Sequence, residues 1–293
     1  NLDILKMNER KIINRDEVAI IGGAGFVGSR LKSRFIKGNI ISNKYDIDLR
    51  NTSDECIYLD VEKVDSLAKL AGVNTIINLA AVHHDDIRPL SRYDDVNVQG
   101  AKNICEAASK YGIKKIIFTS SVAIYGFAPA DTDESGDPNY FNDYGRTKYL
   151  AEQVYKKWQA EDPENNTLVI IRPTVIFGEG NRGNVFNLLN QIASGRFIMF
   201  GSGENIKSMA YVENVAAFIE HSLSFKEGIH IYNYIDKPDM NMNSLISHVR
   251  KVLFNKNNVG IRLPALLATI IGKIFDLLSL ALNKKLPVSS IRI

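Results

Sequence analysis

Val18-Ala19-Ile20-Ile21-Gly22-Gly23-Ala24-Gly25-Phe26-Val27-Gly28 is the stretch on which the fold turns. Its first four residues, apolar and mostly β-branched, read as a buried strand, and the following run, Ser29 to Ile36, is helix-competent. Between them Gly22, Gly25 and Gly28 stand three apart. A glycine here permits a tight turn, the next admits a pyrophosphate to the backbone, and the last lets helix and sheet close together. Phosphates then sit at the helix N-terminus, where N–H groups lack acceptors. Asp48 follows Gly28 by 20 residues and is read as closing the second strand, the spacing at which a carboxylate accepts the adenosine ribose hydroxyls. Gly22, Gly25, Phe26, Val27, Gly28 and Asp48 thus form an expected dinucleotide cradle. The carboxylate would repel a 2′-phosphate and favours NAD over NADP, with Arg50 leaning the other way.

Outward from this loop the chain alternates. Short apolar runs at Val18 to Gly22, Tyr45 to Leu49, Cys56 to Leu59, Thr75 to Ala80, Lys115 to Ser120, Leu168 to Ile171 and His230 to Tyr234 are mostly separated by helix-length amphipathic segments. This pattern predicts an α/β fold, a Rossmann-type doubly wound parallel sheet with helices on both faces. After Pro173 the rhythm loosens into Gly- and Asn-rich loops. The expected division is a NAD-binding domain over 14–172 plus about 211–235, and a smaller C-terminal substrate lobe over about 173–210 and 236–293.

The chemistry lies farther along. Tyr144-Gly145-Arg146-Thr147-Lys148 sets a phenol and an ammonium at i and i+4, on one face of a helix. A tyrosine is a poor base at neutral pH, and a neighbouring cation is expected to lower its pKa and make Tyr144 a general base. Ser121 ends the strand run Phe118-Thr119-Ser120, at the carboxyl edge where ligands sit in open parallel sheets, and its hydroxyl can bond the reacting oxygen.

Together with Asn78-Leu79-Ala80-Ala81, Tyr125-Gly126 and Arg172-Pro173, these motifs resemble the extended short-chain dehydrogenase/reductase family, the NAD-dependent sugar epimerases and dehydratases. The resemblance runs over nearly the whole chain. It implies tightly bound NAD, with Asp60 and Val61 bordering the adenine, Ala80, Ala81 and Val82 on the nicotinamide side, and Tyr144 and Lys148 at the nicotinamide ribose. It also implies a diphosphate-linked sugar substrate and a homodimer. The family's dehydratases carry an Asp-Glu pair where this chain has Val122 and Ala123, so neither dehydration nor decarboxylation has its proton carriers. Epimerisation needs Ser121, Tyr144, Lys148 and NAD alone: C4 is oxidised, the 4-keto sugar turns over, and reduction returns from the other face.

Within the family, AAVHHDDIRPLSRYDDVNVQG (80–100), RPTVIFGEGNRGNVFNLLNQIASGRF (172–197), KSMAYVENV (207–215) and YNYIDKPDMNMN (232–243) are similar to bacterial 4-epimerases that convert N-acetylglucosamine to N-acetylgalactosamine on diphospho-undecaprenol for O-antigen and related glycans. Where the UDP-galactose enzymes place a diphosphate-binding arginine, this chain has Lys207, a point charge without arginine's two-pronged fit. Arg182 and Arg292 are further diphosphate candidates, and His83 and Tyr125 are candidates for the sugar pocket. Two other readings remain open: an NAD(P)H-dependent nucleotide-sugar reductase, and a non-catalytic NAD-binding protein.

Composition excludes other classes. The chain has 293 residues, 45% hydrophobic and 24% charged, and its net charge of +3 is too small and too dispersed for nucleic acid. Cys56 and Cys105 form no metal or disulfide pattern, and with no signal-peptide core in view the protein is expected in the cytoplasm. Consecutive residues of His83-His84-Asp85-Asp86 should point apart, so no metal is expected. Leu263 to Leu282 is apolar except for a stripe of Thr269, Lys273, Asp276 and Ser279. Two charges near a bilayer centre exclude a spanning helix. What remains is a helix packed on its own lobe or one lying in the membrane interface, which would bring the enzyme to the inner face of the cell membrane.

Overall fold

A computed structural model of the protein describes residues 17–49, 56–84, 87–129 and 131–264. These form two compact units, one running to Gly178 and returning over Ala210–Ile235, the other taking Glu179–Met209 and resuming at Asp236.

The first unit is built on seven strands: β1 (Val18–Ile21), β2 (Ser42–Asp46), β3 (Cys56–Tyr58), β4 (Thr75–Asn78), β5 (Lys115–Thr119), β6 (Thr167–Pro173) and β7 (Gly228–Tyr234). They lie in the order β7-β6-β5-β4-β1-β2-β3, and every neighbouring pair is parallel. Period-two alternation divides the strand residues between two cores. Ala19, Ile21, Ile76, Ile116 and Phe118 face α2 (Gly100–Tyr111) and α3 (Asp143–Glu161). Val18, Ile20, Ile77, Ile117 and Val169 face α1 (Phe26–Lys37) and α4 (Val212–Ser222). Both faces are covered, which is why the strands read as continuous apolar runs.

β2 departs from its expected position. It occupies Ser42–Asp46 instead of Tyr45 to Leu49. Its polar sequence conceals a central strand because the Lys44 stem lies against Gly23, where a Cβ would come within 2.7 Å of it, and Lys44 is itself buried. The chain moves outward from β1 through β2 and β3, then crosses to β4 on the other side of β1. The crevice at the carboxyl ends of β1 and β4 is therefore the switch point at which doubly wound sheets take their ligands.

In the second unit the helices Asn184–Ala193 and Met242–Phe254 share a small core of Ile192, Met199 and Ile246. Ile198–Phe200 runs parallel to Ile261–Leu263, and Ile206–Lys207 antiparallel to Met240–Asn241. Arg292 and the tail from residue 265 lie outside the described residues. Among the described residues no helix is long and apolar enough to cross a membrane.

Candidate active site

The glycine loop is shaped by backbone contact. Gly22 turns at φ +80°, and the N–H groups of Gly22 and Gly23 donate to the Tyr45 carbonyl at 2.8 and 3.1 Å. A Cβ at Gly22 would come within 2.8 Å of the Ala80 nitrogen, and one at Gly28 within 2.6 Å of both the Gly22 oxygen and the Gly23 Cα. Gly25 differs, since a Cβ there would meet only the Gly22 oxygen, at 3.1 Å. As the residue capping α1 it offers no side-chain acceptor, and the first turn carries no acid. The N–H groups of Phe26, Val27 and Gly28 therefore have no intrahelical partner, and an anion is what this helix end lacks. The residues fit the pyrophosphate of a dinucleotide.

The carboxylate at the end of β2 belongs to Asp46, not Asp48. Asp46 Oδ2 accepts the Ala24 N–H at 2.9 Å, and Oδ1 accepts the Asp48 N–H at 3.0 Å. Those two bonds turn the chain out of the sheet, which leaves Asp48 beyond the strand. Asp60 is buried after β3, where it accepts the Glu62 N–H at 3.0 Å and pairs with Lys63 at 3.3 Å. Val61 gives its carbonyl to Asn103 Nδ2 at 2.8 Å and lies against Gly100.

Beyond β4, the Ala80 N–H donates to Asn78 Oδ1 at 3.1 Å, and Asn78 Nδ2 donates to Tyr155 on α3 at 2.8 Å. Ala81 gives its carbonyl to the His83 ring, 3.4 Å from Nδ1. Buried Asn97 clamps Val82 by both backbone groups, at 2.8 and 3.0 Å, and donates to Thr147 on α3 at 3.0 Å. Asn97 lies in a π-helical turn, Asp94–Gln99, a distortion that often marks functional sites. Its neighbour Asp94 receives two bonds from Arg146, at 2.9 and 2.6 Å. The chain from Val82 to α3 is thus a continuous polar frame.

Ser121 lies two residues past β5 and caps the short turn Val122–Tyr125, accepting the Ala123 N–H at 3.1 Å. Asn142 caps α3 by accepting the Gly145 N–H at 2.8 Å. Gly145 lets that helix end touch the serine turn, since a Cβ there would lie 2.5 Å from the Ala123 oxygen. Lys148 Nζ donates to the Thr119 carbonyl at 2.6 Å and stands 5.9 Å from the centre of the Tyr144 ring. Ser121, Tyr144 and Lys148 are brought together on one edge. Nearby, Thr119 Oγ1 and Ser120 Oγ are buried with no protein partner, as expected where a bound group completes the polar network.

The electrostatics reverse one expectation. Burial pushes the Tyr144 phenol up to about 12, opposed by its hydrogen bond to Ser121. Burial likewise drives Lys148 down to about 7, opposed by the Glu152 carboxylate. The spacing alone predicts that the ammonium lowers the phenol; the protein's own groups do not, because both partners are desolvated and the lysine donates to Thr119 instead.

Glu152, one turn beyond Lys148, is fully buried and holds Arg172 by two bonds at 2.9 and 2.7 Å. Arg172 also donates to the Tyr125 hydroxyl, which donates in turn to Asn233 Oδ1 at 2.9 Å. Tyr125 is 4% exposed. Its hydroxyl is engaged by Arg172 and Asn233, both within the first unit.

Of the other candidates, His83 is exposed, in the loop after β4. Local desolvation leads in lowering its imidazole pKa, opposed by its hydrogen bond to the Ala81 carbonyl, and the charges of His84 and Lys148 add to the lowering. The His83 and His84 rings do not point apart: their centres are 4.3 Å from one another, because the loop is too curved for an extended alternation. Arg182 is exposed and Lys207 half-buried, both in the second unit. Sequence reasoning misses Asp46, Asn97, Gly145 and Glu152. Asp46 is legible as the first acid after the Asn43-Lys44-Tyr45 run; the others gain their roles only from tertiary contacts.

Comparison with known proteins gives the family and the fold. A model of the NAD dependent epimerase/dehydratase family matches residues 18–234. An N-acetyl-alpha-D-glucosaminyl-diphospho-ditrans,octacis-undecaprenol 4-epimerase of Escherichia coli O157:H7 is 47% identical over 95% of this chain and 84% of its own length. A UDP-glucose 4-epimerase of Vibrio cholerae is 26% identical over 88% of this chain and 82% of its own. Among solved structures, the UDP-N-acetylglucosamine 4-epimerase of Bacillus cereus superposes with a TM-score of 0.74 at 16% identity, covering 85% of each chain. The UDP-glucose 4-epimerase of Thermus thermophilus in complex with NAD gives 0.70 at 18% identity, covering 85% of this chain and 86% of its own. These two likenesses speak to the fold.

Proposed function

The chain belongs to the NAD-dependent epimerase/dehydratase family, and from that premise we propose that it inverts C4 of a diphosphate-linked N-acetylhexosamine, interconverting the N-acetylglucosamine and N-acetylgalactosamine forms for surface-glycan synthesis. One observation carries this: Ser121, Tyr144 and Lys148 share the carboxyl edge beside the glycine loop, and Val122 and Ala123, the next two residues, can carry no proton. Such a site can oxidise and reduce but has no acid or base left over for elimination.

Gly22, Gly25, Gly28 and the α1 N-terminus would hold the NAD pyrophosphate, Asp46 in place of Asp48 the adenosine ribose, and Lys148 the nicotinamide ribose. When bound, NAD supplies reversible oxidation at C4 of the sugar. Tyr144 Oη takes the proton from the 4-hydroxyl and later returns it, while Ser121 Oγ bonds the same oxygen and keeps it within reach. Burial holds the phenol protonated, and the hydrogen bond to Ser121 works against that, so Ser121 favours the phenolate that accepts the 4-hydroxyl proton.

The carrier is undecaprenyl diphosphate in preference to UDP. The relative that matches at 47% bears that lipid in its name, and Lys207 offers a diphosphate one point charge. The same carrier gives the apolar 263–282 segment a membrane surface to meet, on the cytoplasmic side, and a homodimer is the assembly the family resemblance suggests. Incubating the protein with N-acetylglucosaminyl-diphospho-undecaprenol and, separately, UDP-N-acetylglucosamine tests the assignment. The lipid-linked sugar should yield its 4-epimer with no external reductant. Turnover of UDP-N-acetylglucosamine alone would overturn the carrier, and no 4-epimer from either would overturn the reaction.

A further inference from the structure

Two phenylalanines stand in water on the loops that follow Ser121 and precede α3. Phe127, six residues after Ser121, is 77% exposed, and Phe141, three residues before Tyr144, is 61% exposed. Their rings stack at 4.8 Å between centres and 25° between planes. No other large apolar side chain among the described residues is more exposed than Phe127.

The pair is presented by fixed backbone. Gly126 turns at φ +61°, and a Cβ there would lie 1.9 Å from the Asn139 carbonyl, so the two loops touch where no side chain fits. The Asn139 N–H donates to the Ile124 carbonyl at 2.8 Å, and the Gly126 N–H to Ala123 at 3.3 Å. Phe141 leads directly into the Asn142 cap of α3. Three peptide units separate Phe141 from Tyr144, so their Cα atoms are at most about 11 Å apart. A single exposed apolar residue needs no explanation, but a stacked pair held by an ordered backbone beside catalytic groups marks a binding surface.

We propose that the Phe127–Phe141 pair is a subsite for the hydrocarbon of the substrate's lipid carrier, covered by the first isoprene units after the diphosphate. This rests on the lipid-linked reading given above. A polyprenyl chain asks for apolar area and little directional bonding, which is what two stacked rings offer. Phe127 follows Ser121 by six residues and Phe141 precedes Tyr144 by three, so one extended ligand can engage both the rings and the reacting groups.

The test compares N-acetylglucosaminyl diphosphates esterified to a long polyprenol and to a two-isoprene alcohol, both in detergent, on the wild type and on Phe127→Ser/Phe141→Ser. Exposed side chains can be cut back without opening the core, and thermal denaturation checks that the fold is kept. The long-to-short ratio of kcat/KM should fall about tenfold or more in the double variant, through KM. An unchanged ratio overturns the subsite. So does an unchanged ratio accompanied by weaker sedimentation with bare phosphatidylglycerol vesicles, which makes the pair a membrane anchor, or by dissociation of a dimer in analytical ultracentrifugation, which makes it a subunit contact. A wild type inactive on both esters but active on UDP-N-acetylglucosamine would instead remove the lipid-linked reading itself.

Discussion

The glycine loop and the Tyr144–Lys148 helix sit on one sheet edge but are built by different means. At the loop the decisive contacts are backbone to backbone, and the side chains matter by being absent: Gly22 and Gly28 each stand where a Cβ would clash with main chain. On α3 the decisive contacts are side-chain bonds to distant parts of the chain. Asn97 reaches Thr147, Asp94 reaches Arg146, Asn78 reaches Tyr155 and Arg172 reaches Glu152. A cradle defined by missing atoms tolerates little variation, yet it needs no buried charge. A site that rests on a buried ion pair such as Glu152–Arg172 depends on both partners, since removing one leaves the other unpaired at a cost of several kcal/mol. The two regions should therefore fail separately.

The largest expected separation is at Tyr144. Tyr144→Phe keeps the ring and removes the proton carrier, so turnover should fall by a factor of about 10² to 10⁴ while bound NAD, read by mass spectrometry of the purified protein, stays. Loss of NAD together with activity would mean that the two regions are not separable. Next in size is Glu152→Leu. It strands the Arg172 guanidinium in the interior, and breaking such a pair costs about 3–5 kcal/mol, measured as a lower denaturation midpoint. Adding Arg172→Met should restore much of that loss. A Glu152→Leu protein as stable as the parent would show that the network carries no weight.

Lys148 gives a smaller effect with a definite sign. Its ammonium is disfavoured in the folded protein, where its pKa is about 7 against an ordinary 10.5. Below about 7 both states carry the proton and the penalty is complete. Between about 7 and 10.5 the unfolded chain binds a proton that the folded one lacks, so stability rises with pH by up to about 1.4 kcal/mol per unit. Tyr144, held at about 12, acts oppositely, but only above pH 10. Denaturant midpoints of the NAD-free protein should thus climb by about 2 kcal/mol from pH 7 to 8.5, and in Lys148→Met the climb should vanish. A flat wild-type curve would mean that the lysine is hydrated.

Much of the loop is legible in the sequence because its signals are local. A strand, a glycine spacing and a helix all fall within 20 residues, Val18 to Lys37, and short apolar runs locate all seven strands of the sheet, with β2 displaced by three residues. The Tyr144–Lys148 spacing likewise needs only helix geometry. What cannot be read is anything set by distant partners. Asn97 looks like an ordinary polar residue of DDVNVQG, and only tertiary contact places it between Val82 and Thr147. Tyr125 is a pocket candidate by family resemblance, and nothing in VAIYG announces the bonds its hydroxyl makes with Arg172 and Asn233. The phenol's pKa goes the wrong way for the same reason, since spacing reports a neighbouring charge and not the desolvation of both groups.

The smallest prediction concerns the one place where local reading fails at the loop itself. The spacing predicts that Asp48 ends β2, but the strand ends at Asp46, whose two oxygens already hold the N–H groups of Ala24 and Asp48. A carboxylate oxygen accepts more than one hydrogen bond, so Asp46 can hold these and still accept ribose hydroxyls. Asp46→Asn keeps one acceptor for the loop and loses the charge, and a charge-assisted bond is worth about 1.5–3 kcal/mol. NAD should then bind about ten- to a hundredfold more weakly to the apoprotein by titration calorimetry. The NADP-to-NAD affinity ratio should rise, because the repulsion of a 2′-phosphate is relieved. Asp48→Asn, two residues beyond the strand, should move NAD affinity by less than about threefold, the scale of a partly solvated charge contact. If the Asp48 change proved the larger of the two, the strand end would not be what selects the ribose acceptor, and spacing from the third glycine would be the better guide.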